Sequence, residues 1–150
     1  MRLAGEVAVD LHDARALAHR LLAPAATPSG DDLSPAAIAT LSRDLLPGWY
    51  EDWVLLESED WRQLRLHALE ALADRLTAAG RFGEAALAAH AAIRADPLRE
   101  SARACLIRVH LAEGNQSEAL REFERFSQIL GAELDLTPTP QLRRLVDALL

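Results

Sequence analysis

At 150 residues, half of them hydrophobic, the chain carries enough apolar side chain for one domain with a real core. Its formal charge of -7 and pI near 5.2 exclude the basic footprint of a free-standing nucleic-acid binder. Aromatics make up only 5%, so Leu and Ala, both strong helix formers, must supply the core. All 16 basic residues are Arg, a bias that reads as GC-rich coding. The single cysteine, Cys105, can form no internal disulfide; it sits in an apolar helical stretch and reads as a small buried hydrophobe. One unpaired cysteine suits a reducing cytoplasm, where the chain is expected to reside. Residues 1–9 lack the apolar run of a signal peptide, and nothing approaches the roughly 20 apolar residues of a membrane span.

In chain order, residues 1–9 read as a short extended lead-in, a linker or strand remnant, and residues 10–150 as a helical domain. Asp10 looks like a helix start, with Leu11, Ala14, Leu17, Ala18 and Leu21 at helical spacing. Residues 23–32 carry Pro, Gly, Ser and Thr and predict a loop. Ser34 followed by Pro35 is an N-cap with proline at the first helical position, opening a short helix to about Leu41. Pro47 and Gly48 break the stretch from Asp44 to Trp53. A long helix is predicted from about Val54 to Ala79, closed by Gly80. Three more follow, over about Phe82–Ala95, Arg99–Glu113 and Gln116–Leu130, the last closed by Gly131. Thr137 and Pro138 are expected to open a final helix with Leu142, Leu145, Val146 and Leu149 on its apolar side.

Connections of a few residues force neighbouring helices to run antiparallel. Gly80 and Gly114 stand 34 residues apart, the period of a tetratricopeptide repeat. The same register matches Leu72 with Leu106 and Ala85 with Ala119. Phe82 and Phe123 fill bulky positions in one repeat each, and Ala92 and Pro97 fill the small and terminal-proline positions of the first. Arg103 and Phe126 depart from the pattern, standing where a large aromatic and a small residue are usual. The expected fold is therefore all-α: antiparallel helical hairpins of tetratricopeptide type, with N-terminal helices and a C-terminal capping helix. Two repeats bury too little by themselves, hence the need for the flanking helices.

Three segments carry a family resemblance. The run Leu45–Leu76, the run Ala95–Phe126 with its DPLRES and HLAEGN motifs, and the ending ELDLTPTPQLRRL resemble the bacterial transcriptional activator domain of the actinobacterial antibiotic regulatory protein family. The resemblance extends from about Val9 to Leu149. It implies a role in transcription activation, with this domain supplying self-association, as a homodimer, and contact with protein partners such as RNA polymerase. It also implies a winged-helix DNA-binding domain upstream, of which residues 2–9 would be the tail, so that DNA is met only through that domain. The alternatives are a stand-alone repeat scaffold and a small-molecule sensor.

No catalytic residue, metal site or cofactor is expected. His12, His19, His67, His90 and His110 are scattered without zinc-site spacing, and no phosphate loop or nucleophile elbow is present. Candidate partner-binding residues are the aromatic cluster Trp49, Tyr50 and Trp53, and the inward positions Glu70, Asp74 and Arg108, with Ala104 beside them. For the aromatics the alternative is packing of the bent junction; Trp61 reads as core. The arginines Arg99, Arg103, Arg121, Arg125, Arg143 and Arg144 alternate with Glu100, Glu118, Glu122 and Glu124, a pattern of solvated helix faces.

Overall fold

The computed structural model describes residues 2–23, 30, 32–43 and 52–150, with side chains described at 12–23, 30, 32–43 and 59–150. Among these the protein is all-helical. The helices are α1 (Arg2–Leu22), α2 (Pro35–Leu41), α3 (Asp52–Ala78), α4 (Phe82–Ala95), α5 (Glu100–Glu113), α6 (Gln116–Leu134) and α7 (Pro140–Val146), followed by a 3₁₀ turn at Asp147–Leu149. The chain divides into two compact units, Met1–Ala71 and Leu72–Leu150.

In the first unit α1 packs against α2. Ala14, Leu17, Ala18 and Leu21 form the buried stripe of α1, and Ala37, Ile38 and Leu41 that of α2. The extended lead-in expected over residues 1–9 is corrected: the helix is continuous from Arg2, not from Asp10. Leu3 and Val7 extend the spacing of Leu11 upstream by fours, a helical rather than a strand period. Ser34 is the N-cap of α2 in extended backbone, with Pro35 at the first helical position, although its side chain makes no capping bond. Helix α3 supplies the C-terminal cap of α2 from outside. Trp61 Nε1 donates to the Arg43 carbonyl at 2.9 Å, and the buried Arg65 donates through Nη1 to the Ser42 carbonyl at 3.2 Å. Carbonyls at a helix end lack intrahelical partners and carry partial negative charge, which a guanidinium complements. Trp61 is buried, as its spacing suggested. Arg20 and Asp32 pin the α1–α2 connection: Nη2 meets Oδ1 at 3.0 Å, and this hydrogen bond raises the Arg20 pKa.

In the second unit α4 packs on α5, α5 on α6, and α7 lies against both α5 and α6. The links that join them are short, so successive helices run antiparallel. Both register glycines adopt left-handed backbone that a Cβ would strain, Gly80 at φ +75° and Gly114 at φ +91°. After Gly80 the Arg81 amide reaches back to the Leu76 carbonyl at 2.9 Å, and after Gly114 the Asn115 amide reaches the His110 carbonyl at 2.8 Å, the same closing bond at equivalent places. Leu72 and Leu106, and Ala85 and Ala119, are all fully buried. Ile107, Ala119, Phe123, Phe126, Leu130, Leu142 and Val146 make one core cluster shared by α5, α6 and α7.

Two boundaries shift. Gly131 does not close α6; the helix runs on to Leu134 and ends at Asp135, which takes the left-handed conformation at φ 54°. Asp tolerates that conformation better than most residues. The final helix opens at the second Thr-Pro pair rather than the first. Thr139 is the N-cap, its side chain accepting from the Leu142 amide, and Pro140 takes the first helical position. The break expected around Pro47 and Gly48 lies outside the described residues.

Candidate functional site

The inward positions of the second repeat lie on α5, and α7 forms the opposite wall beside them. Between the two helices runs a groove of about 470 Å³, lined by Glu100, Ser101, Ala104, Arg108, Thr139, Gln141, Leu142 and Leu145. Its floor is apolar, from Ala104, Leu142 and Leu145, while Ser101, Thr139 and Gln141 on the rim are exposed. The two walls are tied at one end. The Thr139 amide donates to both Glu100 carboxylate oxygens, at 3.2 and 3.3 Å, and the Thr139 hydroxyl also bonds the Glu100 Oε1. Glu100 sits in the first turn of α5, where the helix dipole favours an acid.

At the other end stands Arg108. Its Nη2 meets Asp74 Oδ1 at 3.1 Å, and it also donates to the Cys105 sulfur at 3.2 Å. Asp74 and Arg108 occupy equivalent places one period apart, so the expected mixed-charge face is here a direct ion pair. With side chains 52% and 42% exposed, that pair contributes little stability and its partners can exchange. Glu70 is half-buried and belongs to the first unit. Trp49 and Tyr50 lie outside the described residues; Trp53 falls in α3, its side chain outside them. The groove thus brings together Arg108 and Ala104.

A second polar constellation is buried, and the expectation that its arginine and glutamate belong to solvated faces is corrected. Arg103 on α5 and Glu122 on α6 are 5% and 3% exposed and form an ion pair. Arg103 also donates to the Pro97 carbonyl at 3.3 Å and lies 5.6 Å from the centroid of the Phe126 ring. Its Nε has no hydrogen-bond partner among the described residues. Glu122 accepts a further bond from the exposed Arg125 at 2.8 Å. Arg103 and Phe126 are the two departures from the repeat pattern, and they pack on one another. Alternating charge gave no hint of the burial; the paired departures did. Nearby, burial lowers the His90 pKa, opposed by Glu122 and reinforced by Arg94, His110 and Arg103.

No lining residue of the groove is a histidine or cysteine. Among the described residues no group of three His, Cys, Asp or Glu side chains could hold a metal ion. None of the described helices is long and apolar enough to cross a membrane. Cys105 is buried. Compared with known families, residues 9–150 match the model for the bacterial transcriptional activator domain. No curated protein and no solved structure matches the chain.

Proposed function

Since the chain belongs to the bacterial transcriptional activator domain family, a regulatory family and not an enzyme family, we propose that it is the protein-interaction and assembly part of a transcriptional regulator. It acts by self-association and by contact with a protein of the transcription machinery such as RNA polymerase, and DNA is engaged through a separate domain. The observation that carries this reading is the open groove on the second hairpin. There the inward positions Ala104 and Arg108, both half-buried, line an open groove beside α7. A stack of hairpins offers such a face to macromolecules, because each repeat commits its other faces to its neighbours.

The test is a tethering assay. The chain is fused to an unrelated DNA-binding domain, and transcription from a reporter carrying that domain's site is measured. Activation above that of the DNA-binding domain alone is expected. No activation, together with a monomer in sedimentation at high micromolar concentration, would contradict the reading.

A further inference from the structure

Helix α7 is held by contacts that an identical chain supplies equally well. We propose that two copies of the chain associate by exchanging α7, each lodging its residues 140–149 against α5 and α6 of the other, an inference that rests on the self-association part of the role above. With 7 residues α7 falls short of the roughly 12 at which a helix is even marginal alone in water, so it exists because it is docked. Leu142 and Val146 belong to the core shared with α5 and α6, and Leu145 and Leu149 pack against it. At its start Thr139 is caught by Glu100 of α5. None of these contacts depends on which copy donates the helix, which is why exchange of a small element is a low-cost route to a dimer. The face that α7 covers thus has its occupant specified by the sequence, a second α7.

The link between α6 and α7 is built as a hinge. Residues 136–139 lie in neither helix nor strand, and Thr139 is extended at φ -66°, ψ 157°. Pro138 and Pro140 bias the residues before them, Thr137 and Thr139, toward extended backbone. Four extended residues reach about 13 Å and keep that form whether α7 folds back or swings out. The fold-back therefore rests on Asp135, the one non-glycine residue in left-handed backbone among the described residues, at φ 54°. An aspartate tolerates that conformation better than most side chains but less well than glycine. Swinging α7 out lets Asp135 relax, and the docked contacts are regained on the other copy. Asp135 is exposed, so substitutions there act on the turn and not on the core.

The experiment is sedimentation equilibrium of the whole chain from low to high micromolar concentration. Salt at about 0.15 M screens the mutual repulsion of two acidic copies beyond about 8 Å. Three variants are compared with the parent chain. Asp135→Gly suits the left-handed turn and should hold α7 on its own chain, weakening the dimer about tenfold, since each dimer opens two hinges. Asp135→Ala penalises the turn and should strengthen the dimer by about the same factor. Asp135→Asn removes the charge but keeps the tolerance for the turn, and should leave the dimer within about twofold of the parent. Far-UV circular dichroism checks that each variant folds; should Asp135→Ala aggregate, the contrast between Asp135→Gly and Asp135→Asn decides. A dimer formed through the surface around Asp135, where Leu134 and Leu136 are exposed, would respond alike to all three, which remove the same carboxylate. Opposite shifts for glycine and alanine support the exchange. Shifts in one direction, or a dimer that none of the variants changes, overturn it and leave self-association through another surface. A monomer at every concentration, in the parent and in Asp135→Ala, also overturns it. If that chain still activates the tethered reporter, contact with the transcription machinery stands without self-association; if it does not, both readings fall.

Discussion

Removing either half of the Arg103–Glu122 pair should cost unequal amounts of stability, and removing both should cost less than removing the glutamate alone. In Glu122→Ala the guanidinium of Arg103, 5% exposed, loses the Glu122 carboxylate and keeps, among the described residues, the Pro97 carbonyl and the Phe126 ring. Stranding a buried charge in this way costs about 3–5 kcal/mol. In Arg103→Leu the glutamate keeps Arg125, whose side chain is 59% exposed and can hold the carboxylate toward water. That variant should lose less, about 1–3 kcal/mol, the range for leaving one buried polar group short of a partner. The double variant carries Leu and Ala, the residues that the first repeat has at Leu69 and Ala88, both fully buried. No charge is then stranded, so its loss should fall below that of Glu122→Ala, with a coupling of about 0.5–3 kcal/mol.

The assay is urea unfolding followed by far-UV circular dichroism, comparing midpoints at equal m-values. Tryptophan emission should be followed in parallel, because two compact units need not unfold in one step. Strictly additive losses, or a Glu122→Ala cost below about 0.5 kcal/mol, would refute the assignment of a buried, mutually dependent pair.

Leu72→Ala and Leu106→Ala, both fully buried, should each cost about 2–5 kcal/mol in the same experiment; values below about 0.5 kcal/mol would mean that the 34-residue register is misplaced. Because burial holds the His90 pKa below its ordinary value, the unfolded chain binds more protons as pH falls through about 6.5. Stability should therefore drop on acidification through that point, and His90→Gln should make the melting temperature less sensitive to pH between about 7.5 and 5.5. An identical pH dependence in the variant would show that His90 does not contribute. The chain alone should not bind a labelled DNA duplex at about 50 mM salt, where phosphate contacts are strong. Its acids outnumber its arginines, 23 to 16, and Arg20, Arg62, Arg81, Arg103, Arg108, Arg121 and Arg125 each face a carboxylate. Saturable micromolar binding that vanishes at about 200 mM salt would overturn that expectation.

Helices whose ends carry strong local chemistry were legible in the sequence. Phe82–Ala95 lies between Gly80 and Asp96-Pro97, and α2 follows Ser34-Pro35, and both have the bounds their flanking residues announce. The misplaced ends are those where two signals compete. Gly131 was a plausible stop, but a glycine inside a helix costs only about 1 kcal/mol, and packing of Leu130 into the core outweighs it. The paired Thr-Pro steps at 137–140 offer two identical starts, and the choice falls to the threonine that Glu100 can reach, a contact 39 residues away that no local pattern contains. The groove was half legible. Helical spacing on α5 placed Ala104 and Arg108 on one face, but the opposite wall depends on where α7 docks.

The departures at Arg103 and Phe126 carry a further consequence once they are taken as a pair. In the first repeat the corresponding places hold Leu69 and Ala92, with Ala88 where the second repeat has Glu122, and all three are fully buried. Places that are apolar in the first repeat are thus charged and aromatic in the second. Hydrophobic packing alone discriminates weakly between similar helices, because volume-conserving exchanges among apolar residues cost little. A buried carboxylate discriminates strongly. Set against a helix that offers leucine at this place, Glu122 would keep only Arg125 of its own helix, at a cost of about 1–3 kcal/mol. Set against α5, it finds Arg103 already positioned by Pro97 and by the Phe126 ring of its own helix. The pair is therefore expected to add little net stability relative to apolar residues, and to favour α5 as the partner of α6 over a helix with leucine at this place. That specificity matters in a chain whose short, similar, alanine- and leucine-rich helices could otherwise pair in more than one order.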